Sequence, residues 1–220
     1  MAHSISERPS LLIWDYDGTL APSFAQIVPS FQAAFEYGLD RIVPPEEIVS
    51  WFGPTDEEVI RRRVPQERFP VALRIFYERY RQLQNEASLF DAVRHFLETS
   101  SRQVQHALVT NKGRMTTMIA VKAQGLQHVF SAVVTGDDVD QPKPAPEGIW
   151  LVLNALKATP HSAIYLGDSP TDVEAAKQAG MRVAAVGYGG IHSPHALKAL
   201  EPTWVIEDPH TLSSWWTSLL

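Results

Sequence analysis

Two carboxylates one residue apart, Asp15 and Asp17, close the apolar run Leu11, Leu12, Ile13, Trp14 in the segment WDYDGTL. Two more, Asp168 and Asp172, stand in GDSPTD directly after the run AIYL. Between them the chain places Thr110, Asn111 and Lys112 after VQHALV, and Lys143 between two prolines in QPKPAP. Carboxylates gathered at one point can hold a hard divalent cation such as Mg²⁺, which takes oxygen ligands. A lysine together with a hydroxyl and backbone amides can hold a phosphate. The flanking prolines stiffen the backbone around Lys143, so its ammonium is aimed. Gly18 permits a tight turn beside the first acidic pair, and Thr19 can brace that turn.

Each of these groups also has a plainer reading. Aspartates in a turn can bond their own backbone, and Thr110 or Asn111 can serve as an ordinary helix cap, a position that also binds anions. In GDSPTD, Ser169 suits an N-cap, Pro170 a first helical residue and Asp172 a first-turn acid, with Gly180 ending the helix. Capping explains those residues and leaves Asp168 unexplained.

For the polar groups to meet, the chain must bring four loops to one edge. The periodicity provides for this. After a strand at Leu11 to Trp14, roughly seventy residues carry helical spacing and no strand signal, including FAQIVPSFQAAFEYGL and FPVALRIFYERYRQLQ. From about Asp91 the pattern alternates: helix DAVRHFLETS, strand VQHALV, helix RMTTMIAVKAQG, strand AVVT, helix PEGIWLVLNALK, strand AIYL, helix PTDVEAAKQAG, strand RVAAV. Such alternation predicts an α/β fold, a parallel sheet flanked by helices on both faces. The core domain is expected at residues 1–20 and 91–220, with a helical cap domain inserted at 21–90. In a sheet of this kind ligands bind beyond the carboxyl ends of the strands, where all four polar loops fall.

Composition narrows the partners. Lys and Arg number 19 against 25 acids in 220 residues, a net charge of −6, which gives no general attraction for nucleic acid or an anionic membrane. An anionic substrate must be attracted locally. With no cysteine, disulfides and thiolate metal sites are excluded. The start MAHSISERPS lacks the apolar core of a signal peptide and no stretch reaches the length of a membrane span, so a soluble, cytoplasmic protein is expected.

DYDGTL, VTNK, the lysine of KPAP and GDSPTD, in that order and across that insertion, resemble the four signature motifs of the haloacid dehalogenase superfamily of phosphohydrolases. The likeness points to the phosphoglycolate-phosphatase-like branch with a helical cap, which is matched loosely through WFGPTDEEV and the ERYRQ helix. The resemblance implies a Rossmann-like core in which Asp15 attacks phosphorus and forms an aspartyl phosphate. Asp17 then acts as general acid and afterwards as base; the dehalogenases that name the superfamily lack this second aspartate. Thr110, the backbone amide of Asn111 and Gly18 would lie against the phosphate, with Lys143 as its cation. Mg²⁺ would be held by the Asp15 carboxylate, the Asp17 backbone carbonyl and Asp168, with Asp172 supporting through water or by orienting Lys143. The implied activity is Mg²⁺-dependent hydrolysis of a small phosphorylated metabolite, phosphoglycolate first. A pyrophosphatase, a sugar-phosphate phosphatase and a phosphomutase are the alternatives within the superfamily, and a phosphate-sensing or partner-binding module is the non-enzymatic one. The family pattern is broken at the two connections to the cap: Pro22 stands at an acidic position, and Phe90, Asp91 and Ala92 replace a proline and a glycine.

The remaining features read more simply. Arg61, Arg62 and Arg63 form a solvated helical face, or else one of them reaches down to a substrate carboxylate. His192 and His195 lie in a loop with no third ligand nearby. VGYGG is a glycine turn, and Trp51, Trp204, Trp215 and Trp216 are packing residues.

Overall fold

Leu11, Leu12, Ile13 and Trp14 are all fully buried, which a strand achieves only when both of its faces are covered. They form β1 (Leu11–Trp14), flanked in parallel by β2 (Gln105–Val109) and β4 (Ala163–Gly167), with β3 (Phe130–Val134) beyond β2 and β5 (Arg182–Val186) beyond β4. A sixth strand, β6 (Trp204–Ile206), extends the sheet past β5, giving the order β3-β2-β1-β4-β5-β6 with every pairing parallel. Five strands were legible in the pattern. The sixth is three residues long at an edge, too short to show a period. The computed structural model describes residues 9–84 and 86–219, so most of the N-terminal segment read above lies outside the described residues.

Alternate side chains build two layers. Leu12 and Trp14 pack on one face with Leu108, Leu166 and Val186, and Leu11 and Ile13 on the other with Val109, Tyr165 and Val183. Between β1 and β2 the chain forms α1 (Phe24–Leu39), α2 (Pro45–Val49), α3 (Asp56–Arg61), α4 (Phe69–Leu83) and α5 (Asp91–Ser100). The first four are the inserted block, held by α1 against α4 with the rings of Phe31 and Phe76 4.6 Å apart. Its apolar interior is continuous with the first layer of the sheet. The two stretches of chain that join block to core run side by side, the Phe90 amide donating to the Leu20 carbonyl at 3.0 Å.

The later helices are α6 (Arg114–Ala123), α7 (Glu147–Ala155), α8 (Pro170–Gln178), α9 (Pro194–Lys198) and α10 (Leu212–Thr217). Capping of α8 is as read: Ser169 and Asp172 bond each other's backbone amides, Pro170 opens the helix, and Gly180 lies beyond its end at φ +71°. Thr110 and Asn111 are not caps. The helix after β2 starts only at Arg114, behind Gly113, which has no side chain to cap with. The tryptophans do pack, Trp51 edge-on to Phe35 at 5.2 Å and Trp204 to Trp215 at 5.7 Å. Among the described residues no helix is long and apolar enough to cross a membrane.

Strand β1 is pinned to its neighbour by a buried imidazole. Trp14 Nε1 donates to His106 Nδ1 at 3.0 Å, and the Ser100 hydroxyl, 3.1 Å from Nε2, donates to the Phe96 carbonyl at 2.5 Å. With Nδ1 accepting, the single proton sits on Nε2 and points at Ser100. Burial pushes the imidazole pKa down from 6.5 to about 4, so the ring is neutral at pH 7. The folded state therefore resists a proton that the unfolded chain accepts. This contribution is present in full above pH 6.5 and is lost as pH falls toward 4, on the order of 3 kcal/mol in total. His106→Gln, which cannot titrate, should remove that part of the acid sensitivity. Urea unfolding of both proteins at pH 7 and pH 5 measures it, and parallel losses in the two would contradict the assignment.

Candidate active site

The sheet order reverses between β1 and β4, which opens a crevice at their carboxyl ends. Asp15 is the first residue beyond β1, its amide donating to the Leu166 carbonyl at 2.9 Å. The chain then turns through Gly18 at φ +82°, where a Cβ would lie 2.1 Å from Asp168 Oδ2. Only glycine fits both the dihedral and the approach. Thr19 does brace the turn, donating to Asp168 Oδ1 at 3.4 Å. VGYGG does more than turn: the Tyr188 hydroxyl donates to the Thr19 carbonyl at 3.1 Å and so supports the acidic loop from β5.

Lys143 arrives from the loop after β3 and is buried. Its Nζ donates to Asp15 Oδ1 at 2.7 Å and Asp172 Oδ1 at 2.6 Å, with the Tyr165 hydroxyl at 3.0 Å and the Val109 carbonyl at 3.3 Å. Burial opposes the charge, but Asp15 and Asp172 outweigh it and hold the ammonium pKa well above the ordinary value. Asn111 clamps the same loop, its amide group donating to the Lys143 carbonyl and accepting from the Lys143 amide, both at 2.9 Å. Asp172 is fully occupied: Oδ2 accepts from the Ser169 amide at 3.0 Å and hydroxyl at 2.5 Å, while Oδ1 takes Lys143 and Tyr165. Of the two supporting roles the resemblance allowed, the geometry matches the orienting of Lys143.

Oxygens of Asp15, Asp168 and Asp172 lie within 4.8 Å of one another. Burial raises the Asp168 carboxyl to about 8, with Asp172 and Asp15 adding to it. Burial likewise lifts Asp15 to about 7 against the pull of Lys143. The cluster is short of positive charge. An all-oxygen, anionic donor set of this kind fits a small divalent cation.

Asp17 stands on the other side of the turn. Its Oδ1 accepts from the Ser23 hydroxyl at 2.5 Å, and both carboxylate oxygens lie 3.3 Å from Lys112 Nζ. Lys112, the lysine of VTNK, is buried beneath the inserted block with its ammonium 4.7 Å from the Tyr80 ring centre. Asp56 was missed altogether. It is a buried carboxylate of α3 that accepts from the Gly113 amide at 3.2 Å and from the Thr116 hydroxyl, and so caps α6 from a distance of 57 residues along the chain. Its pKa is raised by burial. The only trace in the sequence is the motif WFGPTDEEV, which marks the segment and not the partner.

Of the two readings of Arg61, Arg62 and Arg63, the one in which an arginine reaches a substrate carboxylate finds no support, since none of them enters the site. Arg61 pairs with Glu57 and lies over the Phe69 ring at 4.2 Å, and Arg62 pairs with Glu58. Arg63 lies over the Trp51 ring at 4.0 Å and donates to the Val59 carbonyl. None of the three lines the cleft, which measures about 490 Å³ and is lined by Asp15, Asp17, Thr110, Lys112, Lys143 and Asp168 at its polar end. His192 also borders it. Among the described residues neither His192 nor His195 belongs to a group with metal-ligating spacing.

The sequence profile of haloacid dehalogenase-like hydrolases matches residues 12–186. Pyrophosphatase PpaX of Listeria welshimeri is 32% identical over 203 residues, covering 89% of this chain and 91% of its own. Phosphoglycolate phosphatase 1 of Pseudomonas aeruginosa is 32% identical over 215 residues, covering 91% and 77%. Among solved structures, a predicted phosphoglycolate phosphatase from Haemophilus somnus superposes with a TM-score of 0.82 at 22% identity, over 96% of this chain and 99% of that one. CbbY from Rhodobacter sphaeroides, solved with phosphate, gives 0.78 at 22% over 93% and 96%. The chain belongs to the haloacid dehalogenase-like hydrolase family.

Proposed function

We propose that the protein is a Mg²⁺-dependent phosphomonoester hydrolase working through an aspartyl phosphate on Asp15. The observation that carries this reading is the division of labour between two carboxylates at one cleft. Asp15 is held by a buried ammonium, and Asp17, across the turn, by a hydroxyl and a second lysine. The relatives named phosphoglycolate phosphatase and pyrophosphatase support a phosphoryl substrate.

In the first step a carboxylate oxygen of Asp15 bonds to phosphorus, the bond from phosphorus to the leaving oxygen breaks, and Asp17 gives that oxygen its proton. In the second, Asp17 takes a proton from water, the resulting hydroxide bonds to phosphorus, and the bond to Asp15 breaks, releasing phosphate. Ser23 and Lys112 hold the Asp17 carboxylate between the two steps. Lys143 stays protonated throughout and offsets charge on the phosphoryl oxygens, while Asp172 and Tyr165 keep it in place. Thr110 and Gly18 lie against the transferred group. Asp15 and Asp168, with the Asp17 carbonyl, would hold Mg²⁺, which supplies further neutralisation of the phosphoryl charge. The inserted helices act as a cap over the site, and residues 1–20 with 91–220 as the catalytic core.

Two tests address this reading. Asp15→Asn keeps the shape of the side chain and removes the nucleophile. Phosphate release should fall by roughly 10³-fold or more while the thermal midpoint stays near that of the parent. Appreciable turnover in a pure sample of the variant would exclude an acyl phosphate at this position. Separately, Mg²⁺ at about 100 times its Kd should raise Tm by about 5–10 °C, the equivalent of about 2.7 kcal/mol for a chain of this size. Asp168→Asn should abolish that rise. Scanning calorimetry with and without Mg²⁺ decides, and an unchanged midpoint in the parent would count against a metal at this site.

A further inference from the structure

The polar loops account for one end of the cleft. The other end is built by the inserted block, and its chemistry is different. Phe24, Ile27 and Phe31 of α1, Val49 of α2, Phe52 of the loop after α2 and Val59 of α3 form its wall, and Ile191 faces them from the core. Phe52 tilts against Phe24 and Phe31 with ring centres 5.5 and 6.0 Å apart. Val49 and Ile191, at the rim, keep 38% and 41% of their surface in contact with solvent although both are apolar. Exposed apolar side chains that border a concave site are what a ligand covers on binding.

Charge is arranged to match. Among the described residues the one ionisable side chain that the block presents to the cleft is Asp56, and its carboxylate is committed to Gly113 and Thr116. The arginines nearest in sequence are paired inside the block. From the core, Lys112 is held by Asp17, and Lys143 by Asp15 and Asp172. His192 borders the cleft beside Ile191. A carboxylate or second phosphate on the leaving group would thus lose water against phenyl and aliphatic walls with no cation of the block to receive it. An uncharged ring would displace water from those walls at a gain.

Resting on the hydrolase reading above, we infer that the preferred substrate is a phosphomonoester whose leaving alcohol is uncharged and carries an apolar group of about ring size. The bonds that form and break are those already given, with Asp17 delivering the proton to the alcohol oxygen. The cleft of about 490 Å³ has room for such a group beyond the phosphate.

The test compares kcat/KM in Mg²⁺ for 2-phenylethyl phosphate, phosphoglycolate and inorganic pyrophosphate by phosphate release. Acetyl phosphate serves as a small reference that demands little of the cap. The first two are both alkyl esters, so their difference reports mainly on the wall and little on bond strength. The phenylethyl ester should exceed phosphoglycolate and pyrophosphate by roughly tenfold or more. Val49→Arg puts a cation at the exposed rim and should lower the phenylethyl-to-phosphoglycolate ratio at least about tenfold. Equal or reversed preference in the parent, with acetyl phosphate hydrolysed, overturns this inference and leaves the hydrolase reading standing. The same follows from an unchanged ratio in a folded Val49→Arg protein. No release from any of the four overturns the hydrolase reading, and this inference with it. Should the variant not fold, the panel on the parent decides alone.

Discussion

One ammonium sets the geometry of the site. Lys143 is buried at the carboxyl edge of the sheet, where an unpaired charge would be severely destabilising. It therefore draws to itself oxygens from three separate pieces of chain: Asp15 after β1, the Val109 carbonyl at the end of β2, and Asp172 in the first turn of α8. Tyr165, inside β4, adds its hydroxyl. Asn111 fastens the backbone on either side of the lysine to the loop after β2. Removing the cation would leave two buried carboxylates facing each other, so the loops are held together by a balance that none of them supplies alone.

The part of this that was legible in the sequence is the part that strand direction enforces. Parallel strands bring their carboxyl ends to one edge, so Asp15, Asp17, Lys143, Asp168 and Asp172 had to converge once β1, β2, β3 and β4 were recognised. The Ser169 cap was legible because a capping box is local. Asp56 was not, because its partners Gly113 and Thr116 are far along the chain, and a carboxylate in an acidic first turn resembles every other one. Lys112 could be located but not given a task, since its partner is chosen by how the block sits over β2. Arg61 to Arg63 show the opposite limit. Their helical spacing from Glu57, Glu58 and Val59 already contained the partners that occupy them, and the plain reading was the right one.

Core and inserted block are less separate in the structure than their places in the chain suggest. Their apolar interiors are continuous, and two of the contacts between them fall on consecutive residues, Lys112 beneath Tyr80 and Gly113 against Asp56. The loop after β2 thus meets the block on one side and the Asp17 carboxylate on the other. The block therefore bears on Asp17 twice, directly through Ser23 and through the loop that carries Lys112.

The double engagement of Asp172 carries a consequence for local stability. One carboxylate oxygen closes the first turn of α8 and the other grips the Lys143 ammonium, so the turn cannot fray without loosening the cation. Helix ends are ordinarily the first places where amide protons exchange with solvent. Here that opening is coupled to the separation of a buried ion pair, which gives the terminal turn of a nine-residue helix the cooperativity of the sheet beneath it.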